Sequence, residues 1–307
     1  MARVTGIRSV ALDVTDLATA QAFFTGPMGL EPVGPVKNAV FLRGASRHHH
    51  IVELRAGPRR AIRRVEFAAD DRPAIDAIHA RIAASGLACE TPRGLDRPGG
   101  GYGFGFSDPE GRSIAVTAEV ADHAAPLDHP DAPVKITHVN LNSANRDATA
   151  RMLIEGLGFR LIDETTVNRF FCCGRDHHSV VVGANGLTTL NHIAFEMKNL
   201  DAMMRGGGRM RDAGHPVEWG PGRHGPGDNA FVYFIGPEDL PLEFTAEVLQ
   251  IDETYVPRGP DDWTWPPGRL DQWGVTDPPT KRWKSVQNLT AFVSDGWMCM
   301  GSVPTSS

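Results

Sequence analysis

GFGFSDPEGRSIAVTAEV (103–120) lies over FVYFIGPEDLPLEFTAEV (231–248) without a gap, at an offset of 128 residues. The same offset puts IRRVEFAAD (62–70) over LNHIAFEMK (190–198) and ASRHHHIVELR (45–55) over CGRDHHSVVVG (173–183). Near the start the offset is 129, with GIRSVALDV (6–14) over KITHVNLNS (135–143). A fixed long period marks a repeated architecture, so the chain reads as a unit of roughly 125 residues written twice. The polar, Pro-rich stretch VADHAAPLDHPDAPV (120–134) has the composition of a linker.

Each unit divides again. A strand over Ser9–Val14 leads to a helical stretch, DLATAQAFFTGPMGL (16–30), and then to strands at 31–36, 39–43 and 49–55. The pattern restarts with a strand at 62–68, a helix at 71–85, and strands near 102–107 and 112–118. The expected fold class is therefore α+β, with β-α-β-β-β twice per unit and four times in the chain. The second unit repeats the pattern, with helices near 146–157 and 199–213. GGG at 206–208 weakens the latter helix without removing it, because each Gly costs about 1 kcal/mol relative to Ala. The expected divisions are a first unit over 1–122, a second over 135–250, and a tail over 251–307. The tail carries Trp263, Trp265, Trp273 and Trp283 among prolines and charges, and should pack its indoles onto the second unit.

Composition narrows the partners. The chain has 307 residues, 41% hydrophobic and 22% charged, enough to bury a real core. A net charge of −6 lacks the basic footprint of nucleic-acid binding. No apolar run approaches the ~20 residues that cross a bilayer, and MARVTGIRSVALDV lacks a signal-peptide core. Cys89, Cys172, Cys173 and Cys299 form no C-x-x-C pair and read as reduced thiols. A cytoplasmic protein, without nucleic-acid or membrane partners, is expected.

The duplication supplies an internal control. Alternation along a strand puts His138 on one face with Ile136 and Asn140, opposite Thr137, Val139 and Leu141. It puts His192 with Ala194, opposite Ile193 and Phe195, and Glu243 with Thr245, opposite Leu242 and Phe244. The first unit has Ser9, Arg64 and Ala115 at the three places. The strand patterns survive there without any of the three ligand types, so folding does not require them. Two His and one carboxylate from three strands make the facial triad suited to non-haem Fe(II). The same set suits Mn(II) or Zn(II).

ITHVNL, GRDHHSVVV, LNHIAFEM, GRHGPGDNAFVYF and LPLEFTAE, with DQWG in the tail, together resemble the type I extradiol ring-cleavage dioxygenases of the vicinal oxygen chelate superfamily, which includes glyoxalases and bleomycin-resistance proteins. The resemblance covers about residues 1–275. It implies two tandem vicinal-oxygen-chelate domains, each of two βαβββ modules curving into a half-barrel, with the metal in the second only. It implies Fe(II), with Mn(II) as the other candidate, held by His138, His192 and Glu243. His178 is then the acid–base catalyst facing dioxygen, with His177 turned away in a supporting role and His50 a relic or packed structural residue. His224 and Tyr233 contact the substrate hydroxyls; their first-unit counterparts are Asp96 and Gly105. Phe170, Asn140 and Asp228 are expected to touch substrate. The partners implied are a small aromatic diol and O2, with the chain assembled as a homo-oligomer.

Three features depart from biaryl-cleaving relatives. Asn191 stands where another His is common, Asn140 replaces an apolar pocket residue, and the Gly-rich loop GPGDN shifts Asp228. They favour a single, polar aromatic or heteroaromatic ring. Two other readings remain: a metal-dependent isomerase, lyase or hydrolase of the same superfamily, which would not need His178, His224 and Tyr233, and a non-enzymatic binding module, which would not need the triad.

Overall fold

The structure is a computed structural model that describes residues 1–34 and 38–298. The first unit runs β1 (Val4–Val14), α1 (Leu17–Thr25), β2 (Glu31–Pro32), β3 (Ala39–Arg43), β4 (Val52–Ala56), β5 (Ala61–Ala69), α2 (Arg72–Ala84), β6 (Arg93–Gly94), β7 (Tyr102–Ser107) and β8 (Ser113–Ala118). The second runs β9 (Lys135–Ser143), α3 (Arg146–Arg151), β10 (Arg160–Glu164), β11 (Asn168–Cys172), β12 (Val180–Ala184), β13 (Thr189–Glu196), α4 (Leu200–Asp212), β14 (Val217–Arg223), β15 (Ala230–Ile235) and β16 (Pro241–Ala246). The tail adds α5 (Lys281–Val286) and β17 (Thr290–Ala291). The expected α+β fold of tandem βαβββ modules is what the chain adopts. The end of the strand expected at 31–36, and Cys299, lie outside the described residues.

The two sheets have one topology. Their orders are β2-β3-β4-β1-β5-β8-β7-β6 and β10-β11-β12-β9-β13-β16-β15-β14. In each, the first strands of the two modules pair antiparallel at the centre, β1 with β5 and β9 with β13. The duplication extends to helix starts. Asp16, Asp71, Asn145 and Asn199 each cap a helix by accepting from the backbone N–H three residues on. It extends to register: Ala11 faces Arg64 as Asn140 faces His192, and Glu66 faces Ala115 as Ala194 faces Glu243.

Val139, Leu141, Ile193, Phe195, Leu242 and Phe244 turn toward the helices and join one core with Val10, Leu12, Val65 and Phe67 of the first unit. Ile136 joins them, against the alternation expected for it. A register step in β9 between Ile136 and His138 leaves Thr137 as an extra residue, which reverses the face beyond it. The first unit has the same step between Ile7 and Ser9.

Both helices expected in the second unit form, and the strand starts beside the histidine pairs are corrected. Helix α4 runs straight through GGG, because Gly206 and Gly207 are buried and a Cβ on Gly206 would crowd the Phe244 ring. Close packing against the sheet outweighs propensity there. The helix expected at 146–157 is α3 continued over Met152–Gly156 as a wider π-turn. The histidine pairs precede their strands rather than beginning them, since β4 starts at Val52 and β12 at Val180.

Only part of the tail follows expectation. Trp283 is buried in a cluster with Phe231, Tyr233 and Ile235. Trp265 and Trp273 also lie on the second unit, Trp265 at the cavity beside Gly225 and Trp273 under the Arg223 guanidinium, but each keeps more than a third of its surface exposed. Beyond Trp283, β17 pairs with β13 of the second unit, and the tail then crosses to the first: Val293 N–H donates to the Ile62 carbonyl, and the Ser113 hydroxyl donates to the Val293 carbonyl. Among the described residues no helix is long and apolar enough to cross a membrane.

Candidate metal centre and its cavity

Three strands bring His138, His192 and Glu243 together. Nε2 of His138 and Nε2 of His192 are 3.2 Å apart, and Glu243 Oε2 lies 3.3 and 3.1 Å from them. All three side chains are buried. Cis ligands at about 2.1 Å from a divalent ion stand about 3 Å from one another, so the donor set fits one. Glu243 Oε2 accepts no hydrogen bond despite its burial, which leaves a carboxylate oxygen in need of a cation. Among the described residues this is the one cluster of three His, Cys, Asp or Glu side chains with metal-ligand spacing.

The corresponding place in the first unit is filled by ion pairs. The Arg64 guanidinium reaches Glu53 at 2.7 Å and Glu66 at 3.7 Å, and Arg97 binds Glu66 through two hydrogen bonds of 2.7 and 2.6 Å. Arg64 also donates to the Gly296 carbonyl of the tail. A Cβ on Gly105 would overlap the Trp297 carbonyl oxygen, so the main chain of the tail passes where Tyr233 projects its ring in the second unit. His50 is fully buried there against Phe41, as a packed residue.

A cavity of about 450 Å³ opens over the triad, lined by Asn140, Phe170, His178, Trp219, His224 and Tyr233 among others. His178 lies tilted at 52° to the His138 ring, 4.4 Å away, and Phe170 meets His178 edge-on at 5.3 Å. His224 Nε2 and the Tyr233 hydroxyl form a hydrogen bond of 2.8 Å. Trp219 stacks on the other side of Tyr233, at 5.0 Å and 13°. Burial pushes the His178 imidazole well below its ordinary pKa, and the surrounding histidines add to this. Burial, then Glu243, pushes the Tyr233 phenol well above its own. Both are neutral near pH 7.

His177 lies behind His178. Its Nε2 is 2.9 Å from the buried carboxylate of Asp163, which also accepts from the Tyr255 hydroxyl and the Arg258 backbone N–H. A carboxylate only accepts, so His177 carries a proton on Nε2, and the neutral imidazole then offers a bare Nδ1. That atom faces Nδ1 of His178 at 3.1 Å. His178 therefore donates from Nδ1 and keeps a lone pair on Nε2, which has no hydrogen bond among the described residues.

Asp228 is not in the cavity. It is exposed, takes a left-handed backbone (φ 45°), and its carbonyl accepts from Arg223. The sharp GPGDN turn delivers its neighbour instead: Asn229 donates to Thr245 Oγ1 at 2.7 Å and to Glu243 Oε1 at 3.4 Å. Asn229, Trp219, Gln287 and Trp265 escape a reading of the sequence. Trp219 and Asn229 sit beside recognisable motifs, while Gln287 and Trp265 come from the non-repeated tail and carry no local signal.

The sequence model described as Glyoxalase/Bleomycin resistance protein/Dioxygenase superfamily matches residues 6–116, within the unit that lacks the triad. Metapyrocatechase 2 of Cupriavidus necator is 26% identical over 231 residues, covering 66% of this chain and 68% of that one. A manganese-dependent 2,3-dihydroxybiphenyl 1,2-dioxygenase of Geobacillus genomosp. 3 is 24% identical over 252 residues, covering 74% and 80%. The crystal structure of a Mn(II)-bound glyoxalase from Novosphingobium aromaticivorans superposes with a TM-score of 0.86 at 34% identity, covering 92% of this chain and 94% of that one.

Proposed function

Because the chain belongs to the Glyoxalase/Bleomycin resistance protein/Dioxygenase superfamily, we propose that it is an extradiol dioxygenase that opens a single-ring vicinal diol beside its hydroxyl groups and inserts both atoms of O2. The observation that carries this reading is the set His178, His224 and Tyr233 around the open side of the triad. An isomerase or hydrolase needs a metal and one base; the hydroxyl–imidazole pair of Tyr233 and His224 and the separate His178 on the same cavity go beyond that need. The relatives named for ring cleavage support the same chemistry.

His138, His192 and Glu243 would hold the ion, Fe(II) or Mn(II), beside the cavity. Bound there, the ion supplies a common site for the diol oxygens and O2 and a path for electrons between them. The side chains do the rest. Tyr233 and His224 orient the diol oxygens through the Tyr233 hydroxyl and His224 Nε2. The bare Nε2 of His178 takes a proton released from the diol and returns it as the O–O bond breaks. Phe170 and Trp219 wall the ring and exclude water from that exchange.

The 34% identity to a protein named a glyoxalase favours a second reading, an isomerase or lyase that moves protons without O2. One experiment separates the two. The Fe(II)- or Mn(II)-loaded protein is incubated with a panel of catechols in an oxygen electrode while the visible spectrum is recorded. Ring cleavage predicts a yellow product and one O2 consumed per diol. No O2 uptake with any diol would sink the dioxygenase reading.

A further inference from the structure

His192 can bind a metal through Nε2 only if its proton sits on Nδ1. That Nδ1 is 2.8 Å from Oδ1 of the preceding residue, Asn191. Side chains of strand neighbours ordinarily point apart. Here the register of β13 against β9 steps between Leu190 and His192, so Asn191 is a bulged residue whose amide is re-aimed toward the ligand. An amide can present either end. Its oxygen selects the Nδ1–H imidazole, whereas its NH2 group would select the opposite tautomer and put the proton on the ligating nitrogen.

The neighbours decide which end is presented. Asn142 donates from Nδ2 to the main-chain carbonyl of Gln287 at 2.8 Å, and a carbonyl can only accept. The Oδ1 end of Asn142 is then left to face Asn191, at 3.2 Å from Asn191 Nδ2. Asn191 must therefore turn its NH2 toward Asn142 and its oxygen toward His192. The Gln287 side chain adds a donor to the same oxygen at 2.9 Å. Asn142 is 1% exposed, so water does not compensate for a wrong orientation.

The first unit shows what these positions do without a ligand beside them. At the counterparts of Asn142 and Asn191 it carries Asp13 and Arg63, joined by hydrogen bonds of 2.6 and 2.8 Å. The contact between strands is kept and its chemistry replaced. Neutral amides occur only in the unit where a histidine ligand follows.

We infer that Asn142 and Asn191, anchored on the tail at Gln287, are positioning residues that hold His192 as the Nδ1–H tautomer and so keep Nε2 bare for the metal. The inference rests on the metal-centre reading given above. It is tested on the full-length, metal-free protein with 15N-labelled histidine. NMR reports which His192 nitrogen bears the proton, the signal being assigned by its loss in His192→Gln, and calorimetric titration with Mn(II) reports affinity. Wild type should show Nδ1–H. Asn191→Leu should lose that preference and bind Mn(II) about 10–100-fold more weakly. Asn191→Asp restores an acceptor at Oδ1 and should bring back both the tautomer and the affinity, which a merely structural role would not do. Gln287→Ala keeps the main-chain carbonyl and should be milder than Asn142→Leu. Nε2–H in wild type, or unchanged affinity in Asn191→Leu, would overturn the relay. A wild-type protein that takes up no Mn(II) would overturn the metal centre itself.

Discussion

Nδ1 of His177 and Nδ1 of His178 stand 3.1 Å apart, so one must donate and the other accept. Asp163 decides which, by accepting the hydrogen bond of His177 Nε2–H at 2.9 Å. The base facing the cavity is thus set by a carboxylate two residues removed through hydrogen bonds. His178→Gln should cut ring cleavage by roughly 10²–10⁴-fold while metal content and substrate binding hold. His177→Gln should be milder. Asp163→Asn can present NH2 to His177 and invert the relay, lowering kcat by roughly 10–100-fold with little change in KM. Steady-state kinetics on the metal-loaded variants checks the order; a His177→Gln protein more damaged than His178→Gln would contradict it.

One metal ion per chain is expected, in the second unit alone. Glu243→Ala removes the only carboxylate of the triad and should abolish stoichiometric Fe(II) or Mn(II) uptake. Elemental analysis after dialysis is the measurement. Two ions per chain, or one retained in His138→Ala/His192→Ala, would refute the assignment.

The first unit should reveal itself in acid. Burial would raise the Glu53 carboxyl, but the Arg64 and Arg55 guanidiniums hold it at about 2, below its ordinary 4.5. A carboxylate with a folded pKa below its unfolded one stabilises the fold above about pH 4.5, and that contribution is lost as pH falls toward 2. Glu53→Gln strands a buried guanidinium and should cost about 3–5 kcal/mol at pH 7. The gap to wild type, read from urea midpoints, should narrow by pH 3. Metal content should be unchanged. An equal gap at both pH values would show that Glu53 is not the titrating group.

Much of this is legible in the sequence alone, for a physical reason. A duplicated sequence exposes which residues the fold can spare, and Ser9, Arg64 and Ala115 mark the triad by difference. Apolar alternation fixed the helix-facing sides of β13 and β16. It failed at Ile136, because a bulge changes parity without any local composition signal. At α4 the helical period holds although three glycines look like helix breakers, and the Phe244 ring accounts for Gly206 by occupying the space a Cβ would need. The tail was the least legible part. Outside the repeat it has no counterpart to compare, yet Tyr255 binds Asp163, Trp265 lines the cavity and Gln287 reaches Asn191. Such contacts follow from how a long irregular segment wraps a finished fold, which periodicity does not encode.

The last prediction concerns the ring substituent. Asn140 lines the cavity beside the triad, directly across from His192 in the strand pair. Its Oδ1 is buried and accepts no hydrogen bond from the protein. A buried, unmatched acceptor costs roughly 1–3 kcal/mol, which a substrate bearing a hydroxyl or N–H at that point would recover and a plain phenyl or alkyl group would not. That difference corresponds to roughly 5–150-fold in kcat/KM between polar and apolar catechols. Asn140→Val removes the acceptor at nearly constant volume, so the preference should move toward alkyl- and aryl-catechols, mostly through loss on the polar substrates. kcat/KM for both classes, in wild type and variant, gives the answer. A wild type that already prefers a biaryl diol, with a ratio unmoved by the substitution, would mean that Asn140 does not read the substrate.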